Sequence, residues 1–314
     1  STASSGRNSA GHGQEGRVGR ADKDSWNKEK VSNDLKTLLF PPARTEEAQG
    51  FVSLCEPRRE IVCAEAVAWL QEFDQLPGSV FTSLPDLIEL QMEGKEEEYK
   101  AWFLNALDVI FSRLKEGRYA IFYQTDAKLS ARAPGEEGRK KVKADGPVRM
   151  LGELLDKSGL CIQAAERHNC KIMWRKVVCK GAPDALSLAR PSFTHLICFA
   201  RGPARFDACK FNTPEIFPRG LMLWPKAIGV NAAMLGVRFL KEVVGESQVI
   251  DPFCGMGTIP AAANVVGLSS VGVDLSPLKC ERARRLRLQE ALRAEPAAEE
   301  AYRGHMPKLR MQGS

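Results

Sequence analysis

The 314 residues contain no CxxC pair, although cysteine is not scarce: nine stand at positions 55, 63, 161, 170, 179, 198, 209, 254 and 280. That spacing excludes the usual structural zinc sites and disulfide scaffolds, so no bound metal is expected. Several thiols lie inside apolar, strand-like runs (IVCAEA, VVCK, LICF), the pattern of buried free cysteines in a reducing compartment. Long hydrophobic runs are also lacking. Nothing approaches the ~18 to 20 apolar residues of a membrane span, so no membrane partner is expected and the chain reads as soluble, intracellular and cytoplasmic. Aliphatic residues are nearly absent from the first 48 positions until LKTLLF. A segment so rich in Ser, Gly and charge cannot offset the entropy of ordering, and 1–48 is expected to be a disordered tail. Its first twenty residues are Ser/Arg-rich, acid-poor and without a starting Met, features shared with the end of an organellar transit peptide, so an organellar location is the alternative. There is no internal repeat.

What the chain does have is 44% hydrophobic residues, enough for a substantial core. One domain is expected over 49–295, with a polar tail at 296–314. From residue 59 the pattern is compact α/β alternation. REIVCAEA (59–66) reads as a strand ending in an acid, AVAWLQEF as a short helix, and GSVFTSLPD (78–86) as a buried strand ending in a Pro-bearing loop. In EEEYKAWFLNALDVIFSRLK, the residues Tyr99, Phe103, Ala106, Ile110 and Leu114 share one helical face, with Gly117 closing the helix. RYAIFYQTD (118–126) is the next buried strand. A helix around 147–158, strands near 170–180 and 194–201, an amphipathic helix near 226–243 and a charged helix over 277–295 complete the expectation. Near-continuous apolar strands separated by helices imply a doubly wound, mostly parallel sheet of the α/β class.

The net charge of +6 is unevenly distributed. Lys128, Arg132, Arg139, Lys140, Lys141 and Lys143 crowd one loop, and Arg282, Arg284, Arg285 and Arg287 crowd one helix. Such patches suit a polyanionic partner. For the arginines of 282–287 a merely solvated helix face is the favoured alternative, because that helix must turn some face to water.

The most informative stretch is QVIDPFCGMGTIPAAANVVGLSSVGVDLS (248–276): strand, glycine turn, helix, strand and terminal acid. Gly255 and Gly257 let the backbone turn tightly and approach a ligand. Asp274 ends the second strand, where a carboxylate can accept the ribose hydroxyls of an adenosine. A nicotinamide dinucleotide site asks for a third small residue, where Pro260 stands. S-adenosylmethionine has no pyrophosphate to cradle. Its cationic sulfonium and ammonium groups would find a suitable neighbour in Asp251.

DPFCGMGT (251–258) resembles motif I of class I S-adenosylmethionine-dependent methyltransferases, particularly those acting on nucleic-acid bases, and Asp274 resembles the motif II ribose acid. This resemblance implies a Rossmann-like methyltransferase fold and S-adenosyl-L-methionine as cofactor. It implies cofactor contacts from Asp251, Phe253, Cys254, Gly255, Gly257 and Thr258, and from Asp274 and Leu275. Since little chain follows Asp274, the catalytic half must lie upstream. There Glu65, in Ala64-Glu65-Ala66, resembles the motif III acid that contacts the adenine amino group, and Ser83-Leu84-Pro85-Asp86 resembles the motif IV catalytic loop. The chain thus looks circularly permuted, with a catalytic half at 55–205 and a cofactor half at 220–290. Trp224 and Lys226, in LWPK ahead of motif I, sit where motif X would line the methionine end. The resemblance implies an RNA base as substrate, in tRNA or rRNA, and the basic clusters agree. A noncatalytic RNA-binding or ribosome-assembly factor, and a DNA or small-molecule methyltransferase, are the alternatives.

Amino-methyltransferases carry D/N/S-P-P followed by an aromatic. Here Ser83 and Pro85 match, whereas Leu84 and Asp86 do not. Asp86 is therefore the candidate proton acceptor, with a turn-capping aspartate as the plain alternative; Glu89 ranks below it. Gln124, Thr125 and Asp126 end the next strand, where open α/β sheets bind ligands, but a turn-forming Thr-Asp pair is the slightly favoured reading. His195 reads as a satisfied core histidine. Trp174 reads as core before it reads as a base-stacking platform, and Trp102 and Phe103 as packing residues.

Overall fold

The computed structural model describes residues 57–130, 151–182 and 190–293. The two expected tails, Cys55, and Arg132, Arg139, Lys140, Lys141 and Lys143 of the basic loop lie outside the described residues. In chain order the strands are β1 (Arg59–Cys63), β2 (Ser79–Thr82), β3 (Tyr119–Gln124), β4 (Ala127–Ser130), β5 (Leu151–Leu155), β6 (Cys170–Cys179), β7 (Phe193–Arg201), β8 (Ile216–Pro218), β9 (Gln248–Asp251) and β10 (Ser269–Asp274). The helices are α1 (Ala66–Gln71), α2 (Glu96–Arg113), α3 (Lys157–Arg167), α4 (Val230–Arg238), α5 (Thr258–Val265), α6 (Pro277–Arg285) and α7 (Leu288–Arg293).

Eight strands form one sheet in the order β1-β10-β9-β2-β3-β7-β6-β8, and β4 and β5 make a separate ribbon. The last two strands of the chain thus lie between its first and second. β1, β10, β9, β2 and β3 are mutually parallel, β7 runs against both of its neighbours, and β8 runs with β6. Seven strands therefore point one way, and their carboxyl ends share one edge with the amino end of β7. The expected doubly wound, mostly parallel sheet is what forms.

Alternation along the strands explains the two helical layers. On β3, Phe122 meets Phe111 of α2 and Phe199 of β7 at ring separations of 5.4 and 6.0 Å, whereas Tyr119, on the other face, meets Phe239 beyond α4 at 5.4 Å. β2 and β3 lie near the middle of the sheet, and all their residues are buried, as unbroken apolar runs require. The face of α2 carrying Tyr99, Phe103, Ala106 and Ile110 is buried as its spacing predicts, and Glu96, Glu97 and Glu98 in the first turn suit the helix dipole.

Several expectations need correction. Of the helix expected around 147–158, residues 147–150 lie outside the described residues; within the rest, Leu151–Leu155 is a strand paired antiparallel with β4, and a helix begins only at Lys157, behind an Asp156 cap that accepts the Gly159 N–H at 2.7 Å. Tertiary pairing here overrides local pattern. Helix α2 ends at Arg113, leaving Gly117 in the turn beyond it with φ +81°. The helix near 226–243 starts at Val230 and turns into a π-helix at Phe239–Val243. The charged helix at 277–295 is broken by Leu286, whose backbone is extended. Cys63 and Cys209 are exposed, whereas the other described cysteines are buried. Among the described residues, no helix is long and apolar enough to cross a membrane, and no group of three or more His, Cys, Asp or Glu is placed to hold a metal ion.

Candidate cofactor site and catalytic loop

β9 delivers Asp251 to the carboxyl edge, and the chain then turns back into α5. The two glycines serve different ends. Gly255 has φ +54° and open space where a Cβ would project, so its backbone is accessible to a ligand. Gly257 has φ +87°, and a Cβ there would come within 2.8 Å of the Cβ of Ala283, so it also lets α6 pack against the turn. Pro260 occupies the third position of α5, where no intrahelical N–H bond is lost. Cys254 is 7% exposed and packs among Ile61, Cys280 and Ala283, which leaves mainly its backbone for a ligand. Thr258, the first residue of α5, has a buried hydroxyl with no hydrogen-bond partner. A buried orphan of this kind asks for an explanation, and a ligand at the helix N-terminus supplies one.

Carboxylates gather around this turn. Asp251 is 2% exposed; Oδ1 accepts the Thr82 hydroxyl at 2.6 Å. Burial pushes its pKa up to about 7, against hydrogen bonds from Thr82 and the Phe253 N–H, and the nearby Asp274 adds to the rise. Asp274 stands in register opposite Cys63 of β1; its Oδ1 accepts the Ser276 N–H at 2.8 Å and its Oδ2 lies 3.7 Å from the Lys279 ammonium. A carboxylate has about four acceptor positions, so capacity remains. Leu275 beside it is 71% exposed, an apolar side chain with no cover. Glu65 caps α1, accepting the N–H groups of Val67 and Ala68 at 3.1 and 2.7 Å.

The loop after β2 comes to the same edge. Leu84 is buried and anchors it, Ser83 and Pro85 are half-buried, and Asp86 is exposed. The Pro85 carbonyl accepts the Tyr99 phenol at 2.9 Å. Asp86 pairs with the ammonium of Lys157, a lysine whose side chain is only 1% exposed. Glu89 closes the loop by accepting the Asp86 N–H at 2.9 Å, and its other oxygen lies 3.8 Å from Lys226. Lys226 therefore reaches the catalytic-loop candidate from the segment ahead of α4, holding a left-handed φ of +70°. Trp224, half-buried, closes the turn behind it by accepting the Ala227 N–H on its carbonyl at 3.1 Å.

Helix α2 supports both halves. Tyr99 holds the loop, and Trp102, one turn later, meets Phe253 of the glycine turn edge-on at 5.9 Å. The sequence pattern assigns Trp102 to packing and gives Tyr99, Thr82 and Lys157 no role. An aromatic pair at i, i+3 within an apolar helix face is the available signal for the first two.

The remaining candidates form a neighbouring network. Gln124 is buried with its amide nitrogen unpaired. Thr125 and Thr194 exchange a hydroxyl bond at 2.6 Å. Asp126 sits 3.3 Å from His195 and accepts the Ser158 N–H. Burial would raise its pKa, but His195 and the N–H groups of Ser158 and Lys157 outweigh that and hold it below the ordinary value. His195, between Asp126 and Arg175, is a satisfied buried histidine as expected. Trp174 packs against Phe211 and Phe239 at 5.1 and 5.2 Å, so its ring belongs to the core. The arginines after Glu281 are exposed; Arg285 pairs with Glu281, and Arg284 donates to the Ile61 carbonyl at 2.7 Å.

No protein-family profile matches the chain, and no curated protein matches it. Solved structures do. A putative DNA modification methylase from Thermus thermophilus, complexed with S-adenosyl-L-methionine, aligns over 73% of this chain and 92% of its own at 17% identity, with a TM-score of 0.53. A second structure of that protein gives 15% identity, 72% and 93% coverage and a TM-score of 0.52. The chain has the methyltransferase fold. The PvuII DNA methyltransferase, cytosine-N4-specific, shares that fold with it at 14% identity over 73% of this chain and 88% of its own, with a TM-score of 0.50. Within the methyltransferase fold of this chain, every motif residue named from the sequence lies at or just beyond the carboxyl edge of the sheet or in the Trp224–Lys226 segment that meets it.

Proposed function

We propose that this chain transfers a methyl group from S-adenosyl-L-methionine to a base of a nucleic acid. The observation that carries the proposal is the junction at the sheet edge, where a glycine turn with open space at Gly255 and an orphaned hydroxyl at Thr258 is tied through Asp251 and Thr82 to the SLPD loop. The cofactor supplies an electrophilic methyl on a sulfonium, so the protein's task is alignment of the nucleophile and removal of its proton. In this reading Asp274 accepts the ribose hydroxyls, Leu275 covers the adenine and Glu65 lies near its amino group. Asp251 faces the cationic methionine end, which Trp224 and Lys226 line. Ser83 and the loop backbone hold the target group, and Asp86 takes its proton while Lys157 fixes the orientation of the carboxylate.

Two further features support the reading. The strand order, with β9 and β10 inserted between β1 and β2, fits a chain permuted so that the catalytic half precedes the cofactor half. The solved structures are described as DNA methylases, which favours DNA beside the RNA expected from the basic clusters. A noncatalytic nucleic-acid-binding module is the second reading, favoured by the engagement of Asp86 with Lys157 and by the missing aromatic in the loop.

Incubation with methyl-labelled cofactor and either total DNA or total RNA tests the proposal. Label that is released by the matching nuclease is expected. Cofactor binding with no label in either pool would hand the site to the noncatalytic reading, and label in neither pool but in small molecules would overturn the nucleic-acid assignment.

A further inference from the structure

Asp126 stands between two strands, just past the end of β3 and immediately before Ala127 opens β4. Ala127 is the register partner of Leu155, so the turn that carries Asp126 meets the start of α3, where Asp156, Lys157 and Ser158 follow β5. The first N–H groups of a helix have no partner within it. Asp126 serves two of them: its Oδ1 accepts the Ser158 N–H at 3.1 Å, and the Lys157 N–H bonds the same carboxylate. Its Oδ2 lies 3.3 Å from Nε2 of His195, and Arg175 donates to the Ser158 hydroxyl at 3.2 Å. Asp126, Lys157, Ser158 and His195 are all buried. The start of α3 is thus tied to the sheet by side chains from β6, β7 and the β3–β4 turn.

We infer that Asp126 is a positioning residue for methyl transfer: by fixing the backbone of Lys157 it sets where the Lys157 ammonium meets Asp86 of the SLPD loop. The inference rests on the methyltransferase reading above and concerns the proton acceptor of that site. Packing alone cannot orient Asp86, because its side chain is 55% exposed. The Lys157 side chain, by contrast, is 1% exposed. Its stem runs through a close-packed interior, so once the backbone at the start of α3 is fixed, the ammonium has little choice of path. A carboxylate that takes a proton from a target group must stand within hydrogen-bond reach of it. Misplacement by about 1 Å can cost a reaction on the order of 10² in rate. The order of the sheet therefore reaches the exposed loop in two steps, from Asp126 to the Lys157 N–H and from the Lys157 ammonium to Asp86. In sequence Asp126 looks like half of a turn-forming Thr-Asp pair, yet the groups it holds lie some thirty residues further along the chain.

The test uses the full chain, methyl-labelled S-adenosylmethionine at saturation, and total DNA and total RNA as acceptors. Initial rates of transfer into whichever pool the wild type labels are measured for the wild type, Asp126→Ala, Lys157→Met and the double variant. Asp126→Ala is expected to slow transfer by about 10 to 10², and Lys157→Met at least as much, with S-adenosylmethionine affinity by calorimetry unchanged in both. In Lys157→Met no ammonium is left to place, so adding Asp126→Ala should slow transfer by less than about twofold more. A merely structural Asp126 predicts the same fold-loss in both backgrounds; that additive result overturns the inference, as does a wild-type rate in Asp126→Ala. Asp126→Asn keeps an oxygen for the two N–H groups and should recover most of the lost rate, whereas a rate as low as that of the alanine variant counts against the role. Should Asp126→Ala fail to fold, Asp126→Ser, alone and with Lys157→Met, is measured in its place with the same outcomes decisive. A wild type that labels neither pool strikes the methyltransferase reading and the inference together; a wild type that labels one pool but gives an additive cycle leaves that reading standing and removes only the role of Asp126.

Discussion

Thr82 on β2 donates its hydroxyl to Oδ1 of Asp251 on β9 at 2.6 Å, joining residues 169 positions apart in the chain. Both side chains are buried, at 0% and 2% exposure. This bond is the direct mechanical link between the SLPD loop, which starts at the next residue, and the glycine turn, which starts at Asp251.

Thr82→Val keeps the shape of the side chain and removes the donor. Leaving a buried carboxyl without that partner is expected to destabilise the fold by about 1 to 3 kcal/mol. It should also raise the pKa of Asp251 further, since the lost bond is one that holds it down. Thermal unfolding together with cofactor calorimetry at pH 7 checks both effects; unchanged stability and affinity would show the bond to be incidental.

Asp251 gives the site a pH dependence of definite sign. With its pKa raised to about 7, the carboxyl is mostly protonated at pH 6 and mostly ionised at pH 7.5, and only the ionised form attracts a cationic ligand. S-adenosylmethionine affinity should therefore rise between those two pH values, with a proton released on binding. The opposite sign applies to stability. The unfolded carboxyl titrates near 3.9, so between about pH 4 and pH 7 the folded state keeps a proton that the unfolded chain has lost, and this contribution disappears as pH rises through 7. Asp251→Asn should accordingly raise the melting temperature at pH 8, flatten the affinity profile and weaken binding. A melting temperature at pH 8 lower than that of the wild type would contradict the account.

Tyr99→Phe removes the phenol that holds the Pro85 carbonyl. The expected cost is about 0.5 to 1.5 kcal/mol of stability, with a slower single-turnover transfer rate and an unaltered cofactor affinity, because Tyr99 touches the loop and leaves the glycine turn to Trp102. A loss confined to cofactor affinity would place Tyr99 in the other half of the site.

The Asp86–Lys157 pair is asymmetric: the lysine side chain is 1% exposed and the aspartate 55%. Removing the aspartate strands a buried cation, whereas removing the lysine leaves a carboxylate that water can reach. Asp86→Asn should thus lower the melting temperature more than Lys157→Met. In transfer assays Asp86→Asn should cost about 10² to 10⁴ in rate if Asp86 is the proton acceptor, and Ser83→Ala about tenfold, the worth of one neutral hydrogen bond. The reverse ranking would return the chemistry to the loop's serine and backbone.

The parts of this molecule legible in its sequence are those whose pattern repeats or whose backbone is special. The apolar runs of β2 and β3, the spaced face of α2 and the glycine turn can be read because burial on two faces, a 3.6-residue period and positive φ each restrict residue type. Leu151–Leu155 cannot, since its strand state comes from pairing with Ala127–Ser130 across an intervening segment. The site is legible where a motif marks a strand end, as at Asp251 and Asp274. Thr82, Tyr99 and Lys157 are hidden because their roles are set by partners distant in sequence, and a threonine in a strand, a tyrosine on a helix face and a lysine at a helix start each look ordinary.

The claim on which the rest depends is that this sheet edge holds S-adenosylmethionine, and calorimetry with the wild type and Asp274→Ala tests it most directly. The account predicts saturable one-site binding by the wild type and a loss of about 2 to 4 kcal/mol in the variant, the worth of the ribose hydrogen bonds to a carboxylate. Equal affinity in the two proteins, or a wild type that ignores this cofactor and binds NADH tightly, would contradict it.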